Sequence, residues 1–282
     1  MIEFEQINDS RLWSLADYIV SVPLADLFSE AKENAARVDQ VCMGSPLYLL
    51  EDHGEWLWLR TYYGYPGWIR SKDIIPCTQD ETENLAMVLS SYGDVLREPH
   101  YDSPLIECLP ASSFILLNGE KKEGWLEVQL LTGGSGWIRT DHIKQLSELT
   151  RPMAEDEKRK QIVDKALEFK GVQYRQGGRS LQGMDGSGLC SLVYLLSGSI
   201  IYRDAEFKYP FVPVSRDELK PADLIFYSGY VALYLGNNHV LHASGPLGGV
   251  GINSLDPKEN DFLSLPSLTS YGTFFHPKVM IL

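Results

Sequence analysis

Residues 171–198 read GVQYRQGGRSLQGMDGSGLCSLVYLLSG. Gly171 closes a helical segment expected over Glu157–Lys170, in which Ile162, Val163, Ala166, Leu167 and Phe169 share one face. Further on, Asp185 stands as a capping candidate with the hydroxyl of Ser187 beside it, and Leu189, Leu192, Val193 and Leu196 continue as an apolar helix. Cys190 lies one helical turn past Gly186, inside that apolar run, and reads as a buried small hydrophobe.

Two more segments follow in order: KPADLIFY (Lys220–Tyr227) and YVALYLGNNHVLHAS (Tyr230–Ser244). Together the three resemble the NlpC-type family of cell-wall cysteine peptidases. Its pattern runs G-x-P-Y-x-W-G-G, then D-C-S-G-L at a helix start, then L-x-P-G-D-L-V-F-F, then H-V-G-I-Y-L-G and a later H-A. Tyr174, Gly177, Gly178, Asp185, Ser187, Gly188 and Leu189 match. The resemblance implies an α+β papain-like domain over residues 152–282, with helices packed on an antiparallel sheet from about Asp223 to Leu282.

In that family a cysteine at a helix N-terminus is held as thiolate by the helix dipole and a neighbouring imidazole. The histidine accepts the proton and returns it to the leaving amine, and a further polar residue orients the histidine. Carried over position by position, the nucleophile position is Gly186, the base position is Tyr230 and the orienting position is His242. Glycine carries no nucleophile. A phenol with an ordinary pKa of ~10 keeps its proton at neutral pH and cannot serve as base. Other departures are Gln176 for the family's Trp, Ala222 and Ala232 for glycines, and Ala205 after Arg203-Asp204. The family's relatives with SH3-like barrels hold the free amino end of a murein peptide with the Asp before the nucleophile and a Tyr from the first barrel. The resemblance therefore implies Asp185, Ser187 and either Tyr63 or Tyr65 as ligand contacts. His239, His242 and Asp223 could be imagined as metal ligands, but the motif already accounts for two of them; no metal and no cofactor is expected.

The first half carries a degenerate repeat. WLWLR (Trp56–Arg60) leads to GWIR (Gly67–Arg70), and WLEVQ (Trp125–Gln129) leads to GWIR (Gly136–Arg139); in each copy the tryptophans stand twelve residues apart. Alternating strands with Gly-rich hairpins, each preceded by an apolar strand (Pro46–Leu50, Phe114–Leu117), predict two small β-barrels. They resemble the bacterial SH3-like domain. The expected organisation is an N-terminal segment over 1–25, barrels over 26–80 and 88–146, a Pro-containing connection, and the papain-like domain. Trp68 and Trp137 are expected in the barrel cores. Tyr62, Tyr63 and Tyr65 are too many aromatics for one small core, so at least one is expected on a partner surface.

The 282 residues are 44% hydrophobic and 22% charged, with net charge -13 and pI near 4.9. That excludes a nucleic-acid partner, which needs clustered Lys and Arg, and disfavours anionic membrane surfaces. No apolar stretch approaches the ~18 residues that span a bilayer. Four scattered cysteines and the absence of signal-peptide features at the N-terminus predict a cytoplasmic protein. The leading functional expectation is a degenerate homologue that binds murein-derived peptides without cutting them. Two alternatives stand beside it: an active endopeptidase with an unrecognised nucleophile, and a scaffold whose SH3-like domains bind a protein partner.

Overall fold

The computed structural model describes residues 7, 9, 11–78, 83–264 and 267–276. The signal-peptide reading of the first residues and the expected sheet residues 277–282 lie outside the described residues. The chain divides into two units, Met1–Arg151 with Gly198–Ile200, and Pro152–Ser197 with Ile201–Leu282.

The first unit holds the two barrels. After a short helix α1 (Arg11–Ser14) come β1 (Tyr18–Val20), β2 (Leu24–Phe28), β3 (Arg37–Cys42), β4 (Pro46–His53), β5 (Trp56–Thr61), β6 (Pro66–Arg70) and β7 (Ile74–Pro76), ordered β3-β2-β6-β5-β4-β1-β7. The second barrel repeats the plan with β8 (Leu85–Val88), β9 (Tyr92–Leu96), β10 (Leu105–Pro110), β11 (Phe114–Lys122), β12 (Trp125–Leu130), β13 (Ser135–Arg139) and β14 (Ile143–Gln145), ordered β10-β9-β13-β12-β11-β8-β14, followed by α2 (Leu146–Leu149). Strand β1 pairs with β4 and β7, and β8 pairs with β11 and β14. Each barrel therefore begins upstream of its expected boundary, at Tyr18 and Leu85. These closing strands are too short to display a period of two in the sequence.

Strand alternation also relocates two tryptophans. In β6 Gly67 and Ile69 are buried, which turns Trp68 outward and leaves it half-buried; in β13 Gly136 and Ile138 do the same to Trp137. Trp68 stacks on its cross-strand partner Trp58 at 5.3 Å and on His53 at 4.9 Å. Within the repeat the buried tryptophans are Trp56 and Trp125, each beneath an arginine from the strand that follows, Arg70 of β6 at 4.8 Å and Arg139 of β13 at 5.6 Å.

The aromatic crowding of the first barrel is relieved inside the unit. Tyr62 and Tyr63 are buried, and Tyr62 stacks on Tyr63 and on Phe114 of the second barrel. Trp13 meets the same Phe114 at 5.0 Å and donates to Gly44 O at 3.1 Å, while Phe114 N donates to Met43 O. The second barrel supplies the apolar volume that a single small core lacks, so Tyr62 and Tyr63 belong to the interior, while Tyr65 is half-buried.

The second unit contains α3 (Glu155–Leu167), a hairpin of β15 (Arg179–Ser180) and β16 (Gly183–Met184), α4 (Gly186–Leu196), and a six-stranded sheet. The sheet is built from β17 (Val212–Pro213), β18 (Leu224–Tyr227), β19 (Tyr230–Gly236), β20 (His239–Ser244), β21 (Gly249–Ser254) and β22 (Leu268–Thr273), ordered β17-β22-β18-β19-β20-β21. Helix α3 starts at Glu155, before the expected Glu157, because Glu155, Asp156 and Glu157 fill the first turn, where the macrodipole favours acids. Helix α4 is buried along nearly its whole length. Arg159 ties α3 to the sheet: it donates to Asp223 and Pro221 O at 2.8 Å and to Thr273 at 3.0 Å, over the ring of Phe275. Among the described residues no helix is long and apolar enough to cross a membrane.

Candidate functional site

Helix α4 is aimed by steric closeness and one ion pair. A Cβ on Gly188 would lie 2.1 Å from Gly178 O, and one on Gly178 would lie 2.2 Å from Gly183 O, so both positions demand glycine for the loop to press on the helix start. Asp185 caps the helix: Oδ1 accepts from Gly188 N and Oδ2 from Gly177 N, both at 2.7 Å. Arg203, 1% exposed, closes on the same carboxylate with two nitrogens at 3.0 and 3.2 Å, and donates to Ser187 Oγ at 2.7 Å. Ser187 in turn lies 3.3 Å from Asp185 Oδ1.

The opposite wall is the sheet. Gly186 is the first residue of α4, and a Cβ there would lie 2.9 Å from Val231 O and 3.9 Å from a ring carbon of Tyr230. The structure thus brings together Gly186, Tyr230 and His242, the three positions that the family pattern assigned to reacting groups. The Tyr230 hydroxyl hydrogen-bonds His242 Nδ1, and His242 Nε2 meets Asn253 Oδ1 at 2.7 Å. Burial pushes the pKa of the Tyr230 phenol up. Burial also pushes His242 below its ordinary value, against an opposing contribution from Asn253.

The remaining sequence candidates fall as follows. Asp185 is placed at the site, but as a carboxylate already accepting from two backbone amides and a two-pronged guanidinium. Tyr63 is 8% exposed and its hydroxyl donates to the buried Asp39; Tyr65 is half-buried. Cys190 is buried against the apolar side of α4, and burial pushes its thiol up to about 12. Asp223 is held by Arg159, and His239 is exposed. Two site residues were missed. Arg203 was read only as the start of a loop motif. Asn253 gave no signal, because its place beside His242 comes from β20–β21 register: Val240 faces Asn253 and His242 faces Gly251, a diagonal pair on one sheet face.

A helix N-terminus facing an antiparallel sheet that carries the base and orienting positions defines a papain-like peptidase fold. Residues 171–261 match the NlpC/P60 family, and residues 27–74 match the bacterial dipeptidyl-peptidase Sh3 domain. The chain is 35% identical over 273 residues to dipeptidyl-peptidase 6 of Lysinibacillus sphaericus, covering 91% of this chain and 99% of that relative. It is 23% identical over 280 residues to a gamma-D-glutamyl-L-lysine dipeptidyl-peptidase of Bacillus cereus, covering 85% and 82%. The fold is also that of an NlpC/P60 family crystal structure from Bacillus cereus, with a TM-score of 0.74 at 18% identity over 91% of this chain and 98% of that one. This chain belongs to the NlpC/P60 family.

Proposed function

We propose that this protein binds peptides containing a γ-D-glutamyl–diamino acid linkage without hydrolysing them. One observation carries the reading: the position that presents a thiol in the family is Gly186, and the phenol at the base position is itself hydrogen-bonded to His242. Hydrolysis by this route needs a nucleophile and a group that takes its proton. Neither Gly186 nor a phenol of raised pKa supplies one. Cys190 is no substitute, since its thiol is buried and fully protonated at neutral pH. The relatives' names support a peptide ligand, and the wide scatter of the four cysteines along the chain fits a reducing cytoplasmic setting.

In this reading Asp185 acts as scaffold. With its lone pairs engaged by Arg203 and two amides, it offers a ligand's amino group a nearly neutral pair rather than an open carboxylate. Ser187 and Tyr65 remain our candidates for ligand contact, while Tyr63 supports the barrel through Asp39.

A second reading rests on the ring of Tyr230, which lies over Gly186. A site filled in this way suits a scaffold that engages a protein partner through its SH3-like barrels. Titration calorimetry with L-Ala-γ-D-Glu-L-Lys, followed by mass spectrometry of the recovered peptide, separates the readings. Saturable heat with intact peptide is the expected result. Absence of heat at millimolar peptide would favour the scaffold, and released dipeptide would overturn both.

A further inference from the structure

We propose that Asn253 is a positioning residue. It sets the direction of the hydrogen-bond chain running through His242 to Tyr230, and so makes the residue at the base position a fixed hydroxyl donor. The inference concerns the same site as the proposed function but not its ligand, and its test is made on the ligand-free protein.

The direction follows from which atoms can only accept. Asn253 Nδ2 lies 2.6 Å from Asp261 O, and a carbonyl only accepts, so the amide NH2 faces Asp261. The amide oxygen therefore faces His242 Nε2 at 2.7 Å, and it too only accepts. His242 must carry its proton on Nε2. In a neutral imidazole this leaves the lone pair on Nδ1, and the Tyr230 hydroxyl must donate to it. Each group from Tyr230 to Asn253 thus donates once, in one direction, and the chain ends on the accepting carbonyl of Asp261.

The surroundings keep the chain neutral. His242 is 1% exposed, so water does not compete for its nitrogens. The titratable groups around the phenol are Tyr174, Cys190 and Tyr227, and burial raises the pKa of all three, leaving them uncharged at neutral pH. Asn253 is the one member of the chain whose own orientation is set from outside it, by a backbone carbonyl. It therefore dictates the tautomer of His242, and the tautomer dictates what Tyr230 does.

Long-range proton–nitrogen NMR of the full chain labelled with 15N-histidine reads the tautomer directly. We expect neutral His242 to be the Nε2–H form in the wild type and equally in Tyr230→Phe, because Asn253 rather than Tyr230 sets it. Asn253→Leu removes the acceptor, and Nδ1–H should then appear. Asn253→Asp keeps an acceptor at the same place and adds a charge; it should retain the Nε2–H form and raise the proton affinity of His242 about tenfold or more. Asn253→Asp also preserves the polar contact if the leucine variant fails to fold. Nδ1–H in the wild type, a switch in Tyr230→Phe, or an unmoved titration midpoint in Asn253→Asp would each overturn the proposal.

Discussion

The two walls of the site are held in different ways. On the helix side, Gly178 and Gly188 leave no room for a side chain, and a buried Asp185–Arg203 ion pair locks the capping carboxylate. On the strand side, Tyr230, His242 and Asn253 form an uncharged chain of hydrogen bonds. The first wall keeps the pattern's Gly178, Asp185 and Gly188 but has Gly186 at the nucleophile position; the second keeps its histidine and changes the residue facing the helix. Backbone closeness and a buried charge pair constrain the fold itself, so that wall persists whatever happens at the reacting positions. The strand wall can exchange one neutral hydrogen-bonding group for another at little cost to folding.

The helix wall should therefore fail hardest. Arg203→Met leaves the buried Asp185 without its cation and should cost about 3–5 kcal/mol, read as a fall in urea midpoint. A loss no larger than that of an exposed ion pair would remove the contrast between the walls.

The junction of the walls comes next. Gly186→Cys puts a Cβ 2.9 Å from Val231 O, so helix and strand must part, a strain of about 1–3 kcal/mol. Adding Tyr230→His supplies an imidazole beside the new thiol, and the double variant should react faster with iodoacetamide than Gly186→Cys alone. Equal rates would mean that residues 186 and 230 do not face each other in solution. Restored peptidase activity should be weak, because that parting displaces the reacting atoms.

A smaller effect of opposite sign belongs to the turn leading into the strand wall. Ala222 follows Pro221 with φ 72, and Asp223 N donates to Lys220 O at 3.0 Å, a turn whose third residue suits glycine. Ala222→Gly should stabilise the protein by about 1 kcal/mol. A decrease in melting temperature would show that the Ala222 methyl, buried beside the Tyr194 hydroxyl bond to its carbonyl, contributes more than its backbone costs.

The smallest effect tests whether the strand wall is neutral. The folded-state pKa of His242 lies below its ordinary 6.5, so between the two values the unfolded chain binds more protons. Its contribution to stability is complete above about 6.5 and is lost as pH falls through the lower, folded value. His242→Gln should flatten the dependence of stability on pH in that window relative to wild type; an unchanged slope would place the histidine's titration elsewhere.

Much of this was legible in the sequence, and the exceptions share a cause. The three ordered motifs located α4, β18 and the β19–β20 hairpin, and in the structure Tyr230 lies beside Gly186 and bonds His242. Asp185 was recognised as a cap, but its bond to Arg203 spans a loop with no periodicity to read. Asn253 reaches His242 only through the β20–β21 register. Trp68 and Trp137 were expected inside from their place at the closing strand of each repeat, whereas alternation with Ile69 and Ile138 turns them outward. Tyr62 and Tyr63 were too many for one barrel core and just enough for two packed barrels.

Retention of the site's architecture without its chemistry is what we propose for this protein. It is tested most directly by incubating excess protein with L-Ala-γ-D-Glu-L-Lys and its diaminopimelate counterpart, and following both by mass spectrometry. Both peptides should remain intact over hours, in wild type and in Cys190→Ala alike. Release of L-Ala-D-Glu by the wild type, abolished in Cys190→Ala, would contradict it and assign the buried thiol the nucleophile's role.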